Sequence, residues 1–494
     1  MIHKYTLFGY NIVIDAESGA VHVLSEIAMK MTDYLEIMIN KDGFAGFPDE
    51  CPVDIRYQHA KYSSSDVNDA YAELCGLYKD GILFSKPEEI KLNYSENFKE
   101  SPVKALCLNI AHDCNMTCEY CFAGKAGKSG KGNFGLEKKL MDEETGMNAI
   151  RFLMQNSGRR RNLEVDFFGG EPLLNFDTVE NIVANTRTLE TKFNKTVRFT
   201  LTTNGTLLDD EKIDFINNNI SNIVLSLDGL RETNDNMRKY AYSDCAGVYD
   251  DIVPMYQKLV KKRLESSSPF KDYYIRGTFT RKNLNFAKDV IHMADINSSN
   301  LGFKNVSVEP VIAEEDKDYS IRREDLPVIF EEYETLAREI IRRERKNKFG
   351  NPNFGDTFNF FHFNIDLENG PCVYKRSKGC GSGSEYLAVT PDGDIYPCHQ
   401  FAGNTKFILG NINSANLDTQ NIDLDKNLMK KFFHNNIIEN EKCKNCWVKY
   451  FCGGGCAANN ENFNGNIGEP YEIACELEKK RVECAVAIKA VLNQ

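Results

Sequence analysis

Cys114, Cys118 and Cys121 stand at a C-x3-C-x2-C spacing within Ala111-His112-Asp113-Cys114-Asn115-Met116-Thr117-Cys118-Glu119-Tyr120-Cys121-Phe122. The run before them, Lys104-Ala105-Leu106-Cys107-Leu108-Asn109-Ile110, is mostly apolar and reads as a buried strand. The fold must therefore deliver three thiols together on the loop leaving that strand's C-terminal end. Three thiolates hold three irons of a [4Fe–4S] cluster and leave the fourth iron open to a small molecule that could accept an electron. The spacing alone equally suits a zinc knuckle or three incidental core thiols, because free cysteine is commonly buried. The rest of the chain has to decide.

The chain carries 16 cysteines in 494 residues. No secretory signal opens it and no apolar run is long enough to cross a membrane, so the reading is a cytoplasmic protein with no membrane partner. Disulfides are disfavoured in that compartment, and clustered cysteines there bind metal or do chemistry. Besides the loop's three thiols, eight cysteines fall between Cys372 and Cys475. Cys51, Cys75, Cys107, Cys245 and Cys484 are scattered and read as small core hydrophobes. The net charge of −12 and the lack of a basic run exclude a nucleic-acid groove. The length suits roughly three domains.

Residues 1–95 form a first unit. Tyr5 to Asp15 reads as a strand, Ala16-Glu17-Ser18-Gly19 as a turn, and Ala20 to Leu24 as a returning strand. Helices are expected at about 25–40 and over Asp66 to Lys79, where Val67, Ala70, Leu74 and Leu77 recur near helical period. Gly81 stops the second helix before a short strand, Ile82-Leu83-Phe84. A hairpin with helices in so few residues resembles the winged-helix peptide-recognition domains, whose sheet edge takes a leader peptide as an added strand. The plain alternative is a capping unit without a ligand.

From about 100 to 320, apolar strands at 104–110, 163–168, 196–202, 222–227, 272–280 and 304–311 alternate with helical segments near 142–156, 177–194, 209–218, 247–264 and 284–295. Parallel strands need such crossovers. Six units are too few for the usual closed eight-stranded barrel, so the expected class is α/β with a partial (β/α)6 TIM-type barrel. Sites in such folds lie at the C-terminal strand ends. There the chain places Phe167-Phe168-Gly169-Gly170-Glu171-Pro172, Thr202-Thr203-Asn204-Gly205-Thr206 and Ser226-Leu227-Asp228-Gly229. Each alone is an ordinary turn. Together with the cysteine loop they give four consecutive polar strand ends.

This order of motifs resembles the radical S-adenosylmethionine (SAM) enzymes of the peptide-maturase branch. The resemblance implies a SAM-binding [4Fe–4S] cluster on Cys114, Cys118 and Cys121, the catalytic set. It also implies that Gly169, Gly170 and Glu171 hold the SAM ammonium, that Tyr120 lies by the adenine, and that Asn204, Ser226 and Asp228 contact the ribose or methionyl end. Where the family often has His-Asp-x-x-x-Arg this chain has Asn234-Asp235-Asn236-Met237-Arg238, so only Arg238 carries over. Arg276, unusual inside a barrel strand, is grouped with the cofactor residues; it suits a carboxylate or, equally, a structural acid.

Two stretches receive plainer readings. Lys125 to Gly135 contains Gly-Lys-Ser but fails the phosphate-loop spacing, since Phe122 stands where a glycine should open it; it reads as a flexible loop over the site. Residues 321–368 are taken as a helical linker, with Glu324 to Lys346 as a solvated helix.

The last unit, 369–494, carries Cys380, Gly393 and Cys398 at C-x12-G-x4-C, then Cys443, Cys446, Cys452, Cys456 and finally Cys475. It resembles the SPASM domain, which implies two auxiliary [4Fe–4S] clusters and three in all. The family's interleaving puts Cys443, Cys446, Cys452 and Cys475 on the outer cluster and Cys380, Cys398 and Cys456 on the inner. A zinc ribbon is the alternative for Cys443 to Cys456 alone. Cys372 either completes the inner cluster or leaves its iron open for a substrate thiolate.

Across all three units the chain most resembles the SCIFF-peptide maturases. That implies a cysteine-rich precursor peptide with a leader, thioether crosslinks from Cys to another residue (Thr being the family expectation), and an electron donor such as flavodoxin or ferredoxin. A 5′-deoxyadenosyl radical would abstract hydrogen from the peptide, a peptide thiolate would join that carbon, and the auxiliary clusters would take the surplus electron. The alternatives are a formylglycine-forming, sulfatase-type maturase, crosslinking at the α-carbon rather than a side-chain carbon, and a non-enzymatic iron–sulfur electron carrier.

Overall fold

The computed structural model describes residues 1–87, 102–124, 134, 138–241, 247–296, 302–349, 357–367, 377–414 and 422–493. Cys245, Cys372 and most of Lys125 to Gly135 lie outside the described residues.

At the N-terminus, β1 (Ile2–Leu7), β2 (Tyr10–Asp15) and β3 (Val21–Leu24) form an antiparallel sheet with β2 in the middle. The single strand expected over Tyr5 to Asp15 is in fact a hairpin. The chain reverses at Phe8-Gly9, with φ of 53° and 85°. Positive φ at both central residues gives the tight turn that matches strand twist. Phe seldom adopts that backbone, which hid the turn from sequence. Helices α1 (Glu26–Ile39) and α3 (Ser64–Lys79) start at Ser25 and Ser63, whose hydroxyls accept from the N–H groups of Ala28 and Asp66. Between them runs α2 (Val53–Gln58).

Alternation along β2 divides its side chains. Val13 packs with Met31, Leu35 and Leu74 in a local core, whereas Ile12 and Ile14 enter the main core. The short strand expected at Ile82-Leu83-Phe84 is instead a bend. It is pinned by His22 Nε2 donating to the Ile82 carbonyl at 2.8 Å and by Ser85 N–H donating to Asp15 at 2.9 Å.

The centre is an alternation of strands and helices. β4 (Ala105–Ala111), β5 (Asn162–Gly169), β6 (Thr196–Thr203), β7 (Asn222–Ser226), β8 (Asp272–Phe279) and β9 (Asn305–Pro310) pair in chain order, all parallel. Their crossovers hold α4 (Glu143–Asn156), α5 (Phe176–Phe193), α6 (Asp210–Asn219), α7 (Arg231–Met237), α8 (Tyr249–Glu265) and α9 (Phe286–Asp295). In β6, Val197, Phe199 and Leu201 are buried in the main core, while Thr200 and Thr202 alternate with them. β10 (Asn359–Phe360) extends the sheet beside β9; β11 (Tyr386–Val389), β12 (Asp394–Tyr396) and β13 (Gly410–Asn411) extend it beside β4. The sheet does not close, because β10 and β13 are its edges. The partial barrel expected from sequence is what the chain forms.

The solvated helix expected over Glu324 to Lys346 is a helix, α10 (Leu326–Phe349), but not a solvated one. Ile329, Tyr333, Leu336 and Ala337 are fully buried, and α10 packs along the C-terminal helix. Arg343 is 4% exposed and pairs with Glu339 and Asp295. The remaining helices are α11 (Lys426–Phe433), α12 (Glu441–Lys444), α13 (Lys449–Cys452), α14 (Ala457–Asn464) and α15 (Glu472–Leu492). α15 contacts β1 and β2 as well as α10. No helix among the described residues is long and apolar enough to cross a membrane.

Candidate active site

A cavity of about 1560 Å³ opens at the C-terminal ends of the barrel strands. Cys114, Cys118 and Cys121 line one part of it, and Cys452 and Cys456 line another. One space therefore touches both groups of clustered cysteines.

The cysteine loop follows β4 and is tied along its length. Thr117 N–H donates to Lys239 O at 2.8 Å and Glu119 N–H to Met237 O at 2.9 Å, while Asn115 O accepts from Ala241 N–H at 2.9 Å. The segment after α7 thus holds the loop open as a zipped ribbon. All three thiols are half-buried. Burial pushes Cys118 up to about 12, with Cys121 and Asp228 adding to the rise and Arg238 opposing it. Cys114 is raised for the same first reason.

The two glycines after β5 are required by backbone packing. A Cβ on Gly169 would lie 2.4 Å from Ala111 O, and one on Gly170 would lie 2.1 Å from Asp113 O. Gly169 also has a φ of +129°. Gly170 N–H and Glu171 N–H donate to Ala111 O and Asp113 O at 2.8 and 2.9 Å. The end of β5 is thereby laid directly on the cysteine loop, and both glycines line the cavity.

Glu171 does not line it. Its carboxylate is fully buried and accepts from Leu173 N–H at 2.9 Å, Thr203 Oγ1 at 2.8 Å and Asn204 N–H at 2.7 Å. Burial raises its pKa to about 7 against those three donors. Asn204, held this way, donates from Nδ2 to Asn115 Oδ1 at 2.9 Å and reaches Cys114 Sγ at 3.6 Å. Asp228 likewise stands behind the wall, fully buried. It accepts from the Tyr120 hydroxyl at 2.9 and 2.7 Å and from Thr278 N–H at 2.9 Å. Arg238 Nη1 donates to the Tyr120 oxygen at 2.8 Å. Asn234, where the family pattern has His, takes the Asp228 N–H on its side-chain oxygen at 3.3 Å. Tyr120, Ser226, Arg238 and Arg276 all line the cavity, and Arg276 is exposed within it.

In the C-terminal unit, Cys398 is buried and its thiol is raised first by that burial, then by Cys456 and Cys380. Cys443 is pushed up to about 11 by burial and then by Cys475 and Cys446, and Cys452 to about 12 with Cys475 among its causes. The structure thus brings Cys380, Cys398 and Cys456 into one neighbourhood and Cys443, Cys446, Cys452 and Cys475 into another. Of the scattered cysteines, Cys51, Cys75, Cys107 and Cys484 are buried.

Sequence reading passed over Glu309, His399 and Arg481, which line the cavity too. Glu309 Oε1 lies 3.2 Å from His362 Nε2, and Oε2 lies 3.9 Å from Arg481 Nη2. A charge ending the apolar strand Asn305-Val306-Ser307-Val308 was the available signal. Phe134, the described part of the Lys-rich loop, stacks on His112 at 4.0 Å.

These residues suit a cluster with a small ligand beside it. Among the described residues no three His, Cys, Asp or Glu groups converge on a single metal ion. The loop thiols instead border a large space, and burial raises the pKa values of Cys114 and Cys118, a rise that a bound cation would offset. Beside them lie a glycine cradle that a Cβ would fill and an Arg238 whose Nε has no partner among the described residues.

Residues 108–258 match the radical SAM superfamily, and residues 380–447 match SPASM, an iron–sulfur cluster-binding domain. The chain is similar to the radical SAM cyclopropyl synthase TigE of Paramaledivibacter caminithermalis, 22% identical over 442 residues covering 86% of this chain and 84% of that protein. It is also similar to a cysteine-type anaerobic sulfatase-maturating enzyme of Clostridium perfringens strain 13, 26% identical over 362 residues, or 72% of this chain and 89% of the relative. Among solved structures, native anSMEcpe with bound AdoMet shares the fold at a TM-score of 0.62 and 21% identity, covering 80% of this chain and 100% of the other.

Proposed function

On the premise that the chain carries a radical SAM domain and a SPASM domain, we propose that it is a peptide maturase that joins a cysteine sulfur to a carbon of another residue, Thr by expectation, in a short cysteine-rich precursor. The observation carrying this reading is the single cavity bordered by Cys114, Cys118 and Cys121 and also by Cys452 and Cys456. A peptide there meets both cysteine groups at once.

Cys114, Cys118 and Cys121 would hold the SAM-binding cluster, Cys380, Cys398 and Cys456 the inner auxiliary one, and Cys443, Cys446, Cys452 and Cys475 the outer. Their chemistry when bound is reductive cleavage of SAM and removal of the surplus electron. The chain's own residues do the positioning. Gly169 and Gly170 leave backbone room for the cofactor's amino-acid end, and Arg238 offers it a cation. Ser226 and Asn204 present polar side chains. Glu171 and Asp228 act through Asn204 and Tyr120, which they hold, rather than by touching the cofactor. The three-stranded N-terminal sheet has β3 at one edge, a place where a leader strand could add.

A second reading is favoured by the similarity to a sulfatase-maturating enzyme: oxidation of one Ser or Cys to formylglycine by the same equipment. Anaerobic turnover with a cysteine-rich peptide separates them by mass, since a crosslink loses two hydrogens whereas the other route leaves an aldehyde. Cys118→Ala must abolish deoxyadenosine; normal turnover there would sink the enzyme assignment. Iron near twelve per chain, with matching sulfide, is the expectation for three four-iron clusters, about four irons each.

A further inference from the structure

Three arginines line the cavity; Arg481 is held by the Tyr333 hydroxyl at 2.8 Å, while Arg238 and Arg276 serve different parts of the space. Arg238 is engaged: it donates to Tyr120 at 2.8 Å and lies 3.9 Å from Asp228. Its charge acts on Cys118, Tyr120, Asp228 and Glu171, the cysteine-loop side. Arg276 is in register with Ser226 of β7 and Ser307 of β9, and its side chain is exposed in the cavity. Its guanidinium makes no hydrogen bond or ion pair among the described residues. Its charge acts on Glu309 and on His399, the residue following Cys398. Arg276 therefore serves the side of the cavity lined by Glu309 and His399 rather than the cysteine loop.

The acid nearest in character does not neutralise it. Glu309 already accepts from Ser307 Oγ at 3.1 Å and faces His362 at 3.2 Å and Arg481 at 3.9 Å. While water fills the cavity, an open guanidinium is solvated. A substrate that displaces this water leaves it desolvated, which is unfavourable unless the substrate brings an anion. A guanidinium fork matches a carboxylate with two parallel N–H···O bonds.

Resting on the peptide-maturase reading, the geometry points to Arg276 as a carboxylate-binding subsite for the substrate peptide. It would take an Asp or Glu side chain or the peptide's C-terminal carboxylate, and not the carboxylate of SAM.

The test uses reconstituted wild type, Arg276→Lys and Arg276→Gln with one synthetic peptide containing Cys and Thr. The peptide is supplied with a single Asp, with Asn in its place, and with Asn plus an amidated C-terminus. The readouts are kcat/KM for modified peptide, SAM affinity, and deoxyadenosine formed without peptide. The wild type should prefer a carboxylate-bearing form by about tenfold, and the form that matters identifies the source. That preference should vanish in Arg276→Gln and survive in part in Arg276→Lys, with SAM affinity and peptide-free deoxyadenosine unchanged. If Arg276→Gln does not fold, the expected result is a reduced but not abolished preference in Arg276→Lys, and an undiminished preference there overturns the subsite. Equal use of all three forms by wild type overturns the subsite. Weakened SAM binding in the variants overturns it too and returns Arg276 to the cofactor. If SAM is cleaved but no form is modified by wild type, the peptide reading itself fails and the subsite with it.

Discussion

Glu171 accepts the Asn204 backbone N–H at 2.7 Å, so the turn after β5 fixes the end of β6. Its folded pKa of about 7 exceeds the ordinary 4.5 because burial outweighs three hydrogen bonds. The fold therefore binds this proton more tightly than the unfolded chain does. Its contribution to stability is full below 4.5 and is lost as pH rises through 7, each unit of the shift being worth about 1.4 kcal/mol. Glu171→Gln should flatten that slope, while its amide group, facing donors, costs about 1–3 kcal/mol. Urea unfolding at pH 5 and pH 8 checks this; identical slopes in both proteins would refute it.

Gly170→Ala should disrupt the cysteine loop itself. The added methyl meets Asp113 O at 2.1 Å, a backbone atom that cannot rotate away. Overpacking of this kind costs about 1–3 kcal/mol. The measurable results are a lower melting temperature and reduced iron after reconstitution. Unchanged iron content would mean the loop can shift without losing its ligand geometry.

How far the sequence could be read follows from which interactions are local. The six barrel strands and the cysteine loop were legible because apolar runs, turns and thiol spacings are contiguous in the chain. The hairpin at Phe8-Gly9 was not, since Phe carries no signal for positive φ. In α10 the basic residues Arg342, Arg343 and Arg345 drew attention from Ile329, Tyr333, Leu336 and Ala337, which recur at helical spacing and bury. Glu171 and Asp228 were rightly placed at strand ends, yet side-chain direction at a turn is set by neighbouring strands. Only the structure shows them turned behind the cavity wall. Glu309 and Arg481 meet although they stand far apart in the sequence, a relationship that no local pattern records.

Tyr120→Phe should separate Arg238 from Asp228. The hydroxyl donates to Asp228 and accepts from Arg238, so removing it strips a partner from two buried charges. A loss of about 1–3 kcal/mol is expected. On the proposed function SAM affinity falls with it, because Arg238 is no longer held. Chemical denaturation and calorimetric titration with SAM measure the two effects; wild-type values in both would show the bridge to be incidental.

Glu309 has the opposite pH sign to Glu171. Burial raises its pKa, but His362, Arg481 and Arg276 outweigh that and hold the carboxyl well below its ordinary value. Its stabilising contribution is present above the unfolded value of 4.5 and drains as pH falls through the folded one. Glu309→Gln should therefore lose stability at neutral pH and show a shallower decline below pH 4.5. Melting temperatures between pH 3 and pH 7 test it, and a parallel acid decline in both proteins would exclude Glu309 as the cause.

Lys449 joins the N-terminal unit to the cysteine-bearing one. Its Nζ lies 2.7 Å from Glu17 Oε1, with both side chains under a tenth exposed. Breaking a buried pair by removing one partner costs about 3–5 kcal/mol, because the other charge stays buried and alone. Lys449→Ala should thus loosen residues 1–24 from α13 and α15, seen as faster hydrogen exchange in β1 and β2 with the barrel strands unaffected. Lys449→Met with Glu17→Gln, which leaves no orphan charge, should recover much of the loss. If the double variant is no better than Lys449→Ala, an orphaned Glu17 charge is not the cause of the loss. On the proposed function the single variant should also weaken handling of a leader-bearing peptide while SAM cleavage without peptide persists, since the cysteine loop rests on β4, β5 and the segment after α7 and not on this contact.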